Sequence, residues 1–241
     1  MTIRRIVLTV FFSLYSITSL SQECVVLLHG LVRTASSMEK LAIELSKVGF
    51  YVVNIDYPSR DKPVEVLAEI AVSEGLKQCK KQNAIPVNYV THSLGGILVR
   101  QYYQQHTPMH VKRVVMLAPP NQGSEVVDNL KNVPGFGLIN GPAGRQLGTD
   151  KNSIPSQLGP VNFELGVIAG TQSINLILST FLPNPDDGKV SVERTKVEGM
   201  CGFIALPTTH PFIMSNNLVI KEVKNYLKNG KFESKSAVSS C

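Results

Sequence analysis

The stretch that decides the fold is Asn88-Tyr89-Val90-Thr91-His92-Ser93-Leu94-Gly95-Gly96-Ile97-Leu98-Val99. A β-type run ends at Ser93, and a helix-compatible pattern begins directly after it. A serine on a tight turn from strand to helix projects its Oγ away from the sheet, which is the arrangement of a nucleophile elbow. The turn needs small residues two places before and after the serine; Gly95 satisfies this need, whereas the β-branched Thr91 fits less well. The alternative interpretation is a serine that only caps a helix.

Around this stretch the chain alternates short apolar runs with helical patterns. Such alternation predicts an α/β fold, with a mostly parallel central sheet flanked by helices on both faces. The predicted strands are 24–28, 51–55, 87–90, 111–117, 165–169 and 189–193. Helices are predicted over 37–47, from 63 onward and over 215–228. With 241 residues, of which 43% are hydrophobic, we expect one domain over 22–230.

Two segments depart from this alternation. Residues 123–164 are rich in Gly, Pro and Asn, and a connection of this length inside one domain is usually functional. We interpret 123–164 as a cap or lid over the serine, with one short helix near 143–147; an ordered surface excursion without a gating role is the alternative. Residues 231–241 are predicted to form a disordered C-terminal tail.

The first residues resemble a targeting segment. Arg4 and Arg5 precede an apolar run over 6–20, and Ser19 and Ser21 provide the small residues that a signal peptidase recognises. We therefore predict a signal peptide over 1–21, cleaved after Ser21, and an exported protein that is periplasmic or secreted. One alternative is an uncleaved membrane anchor, but the apolar run is short for a membrane span. The other is a lipoprotein, but a lipid-attachment site requires a small residue directly before the cysteine, and Glu23 stands before Cys24.

Export changes how the four cysteines are interpreted. Cys24, Cys79, Cys201 and Cys241 would meet an oxidising compartment, where an even number suggests two disulfides with three possible connectivities. Cys24 begins the first strand, and Cys79 ends the helix before a later parallel strand, so both lie at the same edge of the sheet. We favour the pair Cys24–Cys79, which leaves Cys201–Cys241. The alternative is that one or both pairs stay reduced.

Charge places only weak limits on the partners. The formal net charge is +6, or +4 without Arg4 and Arg5. The excess of positive charge lies near the C-terminus, in Lys221, Lys224, Lys228, Lys231 and Lys235. These lysines allow peripheral contact with an anionic membrane or envelope surface. The alternative is that they form a solvated helix face. The sequence contains no basic stripe with interleaved aromatic residues, so nothing in it indicates nucleic-acid binding. No metal-ligand spacing is present, and we expect a monomer.

A nucleophilic Ser93 requires a base and an acid, in the chain order serine, acid, base. Among the five histidines, His210 follows the last predicted strand and precedes the final helix, where the base is expected. His92 is adjacent to the serine, but consecutive side chains of an elbow point in different directions. His29 is expected to shape the turn after the first strand through hydrogen bonds. His106 and His110 are interpreted as solvated loop residues.

The acid is expected in the loop before the last predicted strand. Asp187 is the preferred candidate because it directly precedes Gly188, and the distance to His210 along the chain allows one strand and a returning loop. Asp186 is the alternative acid, and the alternative without a catalytic role is an ordinary Asp-Gly turn between strands. Oxyanion donors are predicted at the backbone N–H groups of Leu94 and Leu31, with Gly30 letting the chain turn towards the serine.

Taken together, these segments resemble the α/β-hydrolase superfamily, and more narrowly its compact bacterial lipases and lipase-like esterases. The resemblance rests on 27–30, 91–96, 187–188 and 209–210, with 118–124 similar to a Pro-His-x-Gly-Ser segment of many lipases. Thr91 and Asn121 depart from the family pattern, which usually has glycine and histidine at these positions. The resemblance implies Ser93 as nucleophile, Asp187 as acid, His210 as base, and Leu31 and Leu94 as oxyanion donors.

The resemblance also implies a reaction, which is hydrolysis of lipid or other hydrophobic carboxylic esters through an acyl-enzyme, without a cofactor. The acyl chain is expected to contact apolar residues of the cap, namely Val133, Phe136, Leu138 and Ile139. An acyltransferase with the same triad, a catalytically silent lipid-binding protein and a serine peptidase are the alternatives, and nothing in the sequence favours the peptidase.

Overall fold

A seven-stranded sheet forms the centre of the part of the chain that the computed structural model describes, which is residues 22–234 and 236–241. The predicted signal peptide, 1–21, lies outside these residues. The strands are β1 Cys24–Leu28, β2 Tyr51–Ile55, β3 Val87–His92, β4 Val111–Leu117, β5 Leu165–Gly170, β6 Gly202–Leu206 and β7 Val238–Ser239. Their order is β2-β1-β3-β4-β5-β6-β7, and all neighbours are parallel except the pair β6 and β7. The α/β fold expected from the sequence is confirmed.

Helices cover both faces of this sheet. They are α1 Glu39–Ser46, α2 Val64–Lys81, α3 Leu94–Gln105, α4 Glu125–Leu130, α5 Phe136–Arg145, α6 Ile154–Gln157, α7 Leu176–Ser179 and α8 Asn217–Asn229. Alternate residues of β1 point to opposite faces, so that Val26 and Leu28 pack with α2 and α3, whereas Val25 and Leu27 pack with α1 and α8. Burial on both faces explains why the strands are nearly continuous apolar runs.

The strand predicted over 189–193 is wrong. Residues there form a tight loop in which Asp186 makes an isolated bridge to Ser191, and a 3₁₀ turn follows at Glu193–Thr195. The N–H groups of Lys189 and Val190 donate to the carboxylate of Asp187 instead of to a neighbouring strand. The sheet continues with β6, which the sequence analysis missed and whose Gly202 pairs with Gly166 of β5.

The segment 123–164 contains more regular structure than the single helix predicted near 143–147. It forms α4, α5 and α6, and α5 is interrupted at Gly141, where φ is 64°. Ser124 caps the N-terminus of α4, and its Oγ accepts a hydrogen bond from the N–H of Val126 at 3.2 Å. The glycines and prolines that suggested a loop lie at the ends and at the kink of these short helices.

The tail 231–241 is ordered over its described part, which corrects the expectation of disorder. Phe232 is buried against Tyr226 of α8, with ring centroids 4.7 Å apart, and the N–H of Glu233 donates to buried Glu222. Strand β7 pairs with β6, and Cys241 is bonded to Cys201. The other disulfide joins Cys24 and Cys79, so both favoured pairings are confirmed.

Two of the lysines that suggested contact with an anionic surface form ion pairs. Lys221 lies 2.8 Å from Glu233, and Lys224 lies 2.9 Å from Glu44.

Among the described residues, no helix has the length and apolar character needed to cross a bilayer.

Candidate active site

Ser93 occupies a strained turn between β3 and α3. Its φ of 51° and ψ of −117° lie in a region that L residues rarely adopt, and such strain is concentrated at functional sites. The turn is held by a hydrogen bond of 2.9 Å from the Ser93 N–H to the Leu117 carbonyl. A Cβ on Gly95 would lie 2.6 Å from the carbonyl oxygen of Leu28, so only glycine lets α3 begin this close to β1. Thr91 is accommodated fully buried, although its hydroxyl has no hydrogen-bond partner.

His210 and Asp187 form a direct pair. The distance between His210 Nδ1 and Asp187 Oδ2 is 2.7 Å, and the His210 N–H donates to the Asp187 carbonyl at 3.0 Å. Asp187 lies in the loop after β5, and His210 lies in the loop after β6, although a different last strand was expected. Ser93, Asp187 and His210 line one cavity of about 750 Å³ at the carboxyl ends of the strands.

The two neighbouring carboxylates of the acid loop have different partners. Asp187 Oδ1 accepts from the N–H groups of Lys189 and Val190 at 3.0 and 2.9 Å, which orients Oδ2 towards His210. Asp186 instead accepts from the Gly188 N–H at 2.7 Å and from Ser179 Oγ. Asp187 is therefore placed to orient the imidazole, and Asp186 stabilises the loop.

The loop after β1 approaches the elbow closely. A Cβ on Gly30 would lie 2.7 Å from His92 Nδ1 and 3.3 Å from Ser93 Cβ, so any larger residue would push the loop away. Leu31 lines the catalytic cavity. Leu94 is the first residue of α3, where a backbone N–H has no acceptor within the helix. These are the positions from which two oxyanion donors were expected.

His29 holds the loop after β1 in shape, as the sequence suggested. Its Nδ1 lies 2.9 Å from the Gly30 carbonyl, and its ring stacks on Tyr57 with centroids 4.1 Å apart. The Tyr57 hydroxyl donates to the His29 carbonyl at 2.5 Å. Burial lowers the pKa of His29, which keeps the imidazole neutral. His106 and His110 are exposed, as expected.

His92 has a structural role that the sequence analysis missed. Its ring is 2% exposed, and its Nε2 lies 3.1 Å from the carbonyl oxygen of His210, with the two ring centroids 4.8 Å apart. This contact fixes the backbone that carries the candidate base. Burial, and then the nearby His210 and Arg33, hold the pKa of His92 well below 6.5. No local sequence pattern indicates this contact, because its two residues are far apart along the chain.

The neutral His92 predicts a pH dependence of stability. Below the unfolded-state pKa of about 6.5, the unfolded chain binds a proton that the folded protein excludes, so the free energy of unfolding should fall as the pH is lowered. Its charged or titratable neighbours are His210, Arg33 and His29, and His29 contributes with the same sign. We expect His92→Gln to flatten the curve between pH 7 and 5 in urea denaturation. His110→Gln, at the surface, should retain the wild-type slope; identical slopes in all three proteins would contradict the assignment.

Segment 123–164, the predicted cap, contributes an apolar wall to the cavity. Three of the four residues predicted to contact the acyl chain line it, namely Val133, Phe136 and Ile139. Leu138 does not; it is 87% exposed on the outer side of α5, because only one side of a helix can face the cavity. Apolar lining residues that the sequence analysis missed are Val126, Val127, Leu130, Leu147, Ile174 and Leu178.

The lipase-like segment 118–124 links the cap to the site. Ser124 Oγ donates to the Lys189 carbonyl at 2.6 Å and thereby joins the start of the cap to the acid loop. Asn121 is buried and accepts from Arg100 at 3.2 Å, and its Nδ2 donates to the Thr195 carbonyl at 2.8 Å. Asn121 therefore supports the site structurally and does not line the cavity.

Within the described ranges, no group of three or more His, Cys, Asp or Glu side chains could hold a metal ion.

Solved structures with the same fold include enzymes that act on esters. Lipase BlEst2 from Bacillus licheniformis, in its mature form, matches with a TM-score of 0.69 and 18% identity over 88% of this chain and 93% of that chain. Phospholipase PlaB from Legionella pneumophila matches with a TM-score of 0.63 and 18% identity over 79% of this chain and 53% of that chain. The metagenomic carboxyl esterase MGS0156 has a TM-score of 0.64 and 15% identity over 81% of this chain and 66% of that chain.

A search of curated proteins found no match. A model of the family described as palmitoyl protein thioesterase matches residues 24–155, which is more than half of the 241 residues. The matched region runs from β1 through the elbow, α4 and α5, and it ends within α6. This match, together with the fold, shows that the chain belongs to the palmitoyl protein thioesterase family of α/β-hydrolases.

Proposed function

We propose that the protein is a serine hydrolase of lipid or other hydrophobic carboxylic esters, with Ser93, His210 and Asp187 as its triad. The observation that carries this proposal is the 2.7 Å contact between His210 Nδ1 and Asp187 Oδ2 in the cavity that Ser93 lines. A carboxylate in this position holds the imidazole in the tautomer whose Nε2 accepts a proton, and it stabilises the imidazolium that forms. The strained backbone of Ser93 supports its role as the nucleophile.

The proposed reaction is an acyl transfer to Ser93 followed by hydrolysis of the acyl-enzyme. Ser93 Oγ attacks the ester carbonyl while His210 Nε2 takes the hydroxyl proton. The N–H groups of Leu31 and Leu94 stabilise the oxyanion of the tetrahedral intermediate. His210 then returns its proton to the departing alcohol, which leaves an acyl-enzyme. Water attacks this ester with His210 as base, and the carboxylic acid and free Ser93 are released.

The cap supports a hydrophobic acyl group as the substrate portion that enters the cavity. Between Ser124 and Leu147, the lining side chains are apolar or uncharged, and they include Leu130, Val133 and Phe136. Burial of each methylene in such a groove contributes about 0.8 kcal/mol, so a long acyl chain gains more than a short one. The described activities of BlEst2 as a lipase and PlaB as a phospholipase agree with this substrate class.

A thioester is the second candidate substrate, because the matching family is described as palmitoyl protein thioesterase. The same triad serves both substrates, since the acyl-enzyme is identical and only the leaving group differs. A thiolate leaves more readily than an alkoxide and depends less on protonation by His210. Oxygen esters and thioesters with the same acyl chain therefore distinguish the two activities.

The proposal is tested with the purified protein and a chain-length series of aryl esters and matched thioesters, in water and with a competing alcohol. Release of free acid supports hydrolysis. Transfer of the acyl group to the competing alcohol in preference to water would indicate an acyltransferase with the same triad. Absence of turnover and of fluorophosphonate labelling in a folded protein would favour a silent lipid-binding protein.

The acyl groove gives a specificity prediction with a matched control. Ile139 lines the cavity, and its neighbour Leu138 lies outside it. Ile139→Trp should shorten the groove and lower kcat/KM for decanoate relative to butyrate by about tenfold, since the loss of each methylene contact costs on the order of 1 kcal/mol or more. Leu138→Trp should leave this ratio unchanged. An equal effect of both substitutions would place the acyl chain elsewhere.

We also propose that the protein is exported, with residues 1–21 as its signal peptide. The support from the described residues is the two disulfides, Cys24–Cys79 and Cys201–Cys241, because such bonds persist in oxidising compartments. Mass spectrometry of the protein recovered from its native host tests this proposal through the expected N-terminus at Gln22.

A further inference from the structure

Two cations line the catalytic cavity beside the triad. They are Arg33 and Lys189, and the carboxylate that shares the cavity, Asp187, is bonded to His210. Within residues 22–234 and 236–241, neither cationic head group forms an ion pair or a hydrogen bond. The cavity therefore contains two cationic head groups and one carboxylate, which is an excess of positive charge, and such a cleft attracts anions.

Arg33 is held in position by its backbone. The preceding Val32 has a φ of 57°, which is an outlier for a β-branched residue, and its N–H donates to Ser59 Oγ at 3.2 Å. On the other side, the Ala35 N–H donates to Asp56 Oδ1 at 2.9 Å. The Arg33 charge acts on the elbow, since it contributes to the lowered pKa of His92. The loop thus carries the Arg33 side chain two residues after the candidate oxyanion donor Leu31, and both residues line the cavity.

Lys189 is fixed at the opposite side of the elbow. Its N–H donates to Asp187 at 3.0 Å, and its carbonyl accepts from Ser124 Oγ at 2.6 Å. Desolvation lowers the pKa of Lys189, and the nearby Asp187 carboxylate opposes this shift. The residue is exposed to solvent. In the strand order, β1 and β5 lie on opposite sides of β3, so the loops that carry the two cations approach Ser93 from different sides.

The charges are separated from the acyl wall. The lining residues contributed by 123–164 carry no ionisable side chain, whereas Arg33 follows β1 and Lys189 follows β5. A substrate with an apolar end and an anionic end therefore has one orientation in which both ends are satisfied. In that orientation, the acyl chain lies along the cap, and the anion lies on the side of the leaving group.

We propose that the substrate carries a phosphate on the leaving-group side of its acyl bond, and that Arg33 and Lys189 bind this phosphate. This inference rests on the proposed hydrolase function and narrows its substrate class. Arg33 presents a planar fork that matches two phosphate oxygens, and Lys189 adds a point charge. The phosphate belongs either to a lipid headgroup or to an acyl-coenzyme thioester, and both offer the same chemistry to the two cations.

Matched substrates test the inference. The first pair is 1-octanoylglycerol and its 3-phosphate, both kept below their critical micelle concentrations; the second is octanoyl-N-acetylcysteamine and octanoyl-coenzyme A. We expect the phosphorylated member of one pair to have a kcat/KM at least tenfold above that of its neutral partner, and the pair concerned identifies the source of the phosphate. This ratio should fall when salt is added, because salt screens the attraction.

Single substitutions assign the effect to the two cations. Arg33→Gln and Lys189→Gln should each lower the ratio by about tenfold, mainly through KM, because each removes a charged hydrogen-bond donor. Lys77→Gln removes the same charge from exposed α2, away from the cavity, and should leave the ratio unchanged. A merely structural effect would lower turnover of both substrates alike and would leave the ratio at its wild-type value.

The outcomes separate this inference from the proposed function. Hydrolysis of the neutral substrates with ratios near one, or ratios unaffected by both cavity substitutions, overturns the phosphate site alone. If the folded wild-type protein hydrolyses neither member of either pair and no aryl ester, the hydrolase function fails and the phosphate site fails with it.

Discussion

Replacing Ser93 by alanine is expected to lower kcat for an aryl ester by a factor on the order of 10⁶. The hydroxyl is the only atom group removed, and without it no acyl-enzyme can form even though His210 and Asp187 remain paired. The effect should appear in kcat, since the apolar groove that binds the acyl chain is unchanged. Steady-state hydrolysis of the best substrate in the chain-length series measures it.

A fluorophosphonate probe provides an independent readout for the same variant. The probe should label wild-type protein once per chain and should not label Ser93→Ala. Circular dichroism and thermal melting must show that the variant is folded. Retention of wild-type turnover by a folded Ser93→Ala protein would exclude Ser93 as the nucleophile.

Asp187→Asn is expected to lower kcat by a factor on the order of 10⁴. The amide has nearly the same shape as the carboxylate, but its NH₂ group can face His210 Nδ1 and favour the wrong tautomer of the imidazole. It also removes the negative charge that stabilises the imidazolium, at a distance of 2.7 Å. The pH profile of kcat/KM should be measured alongside, because restoration of activity at high pH, where hydroxide can act as the base, is expected for a defect of this kind.

Asp186→Asn is the matched control for the acid. This carboxylate is buried and binds Gly188 N–H and Ser179 Oγ, without contact to His210. Its replacement should destabilise the loop by about 1–3 kcal/mol in urea denaturation and lower kcat by less than about tenfold. If Asp186→Asn instead caused the larger loss of kcat, the roles of the two aspartates would be reversed.

Local signals in the sequence predicted the elbow and most of the sheet. The apolar run before Ser93 and the glycines after it describe a strand, a tight turn and a helix start within a few residues, and the structure forms β3 and α3 there. Buried parallel strands are apolar along their whole length, so β1, β2, β4 and β5 were recognised for the same reason. The disulfide between Cys24 and Cys79 followed from the placement of a strand and a helix at one edge of the sheet.

Long-range contacts decide the parts that the sequence analysis missed. The alternating residues 189–193 resemble a strand, but Asp187 binds their N–H groups and turns them into a loop, and β6 takes the place beside β5. The predicted chain order of acid and base does not depend on the missing strand, because Asp187 follows β5, His210 follows β6, and these two strands are neighbours. The contact between His92 and the carbonyl of His210 spans 118 residues, so no local pattern could indicate it.

The final strand affects how the protein behaves towards other copies of itself. Without β7, strand β6 would form the border of the sheet, and Gly202 and Phe203, which pair with β7, would offer unpaired backbone groups to solvent. Open borders of this kind recruit strands from other chains and lead to aggregates. The short β7, attached through the bond between Cys201 and Cys241, covers this part of the border and so shields it from pairing with another chain. Reducing agents should therefore promote turbidity at high protein concentration before they affect the triad.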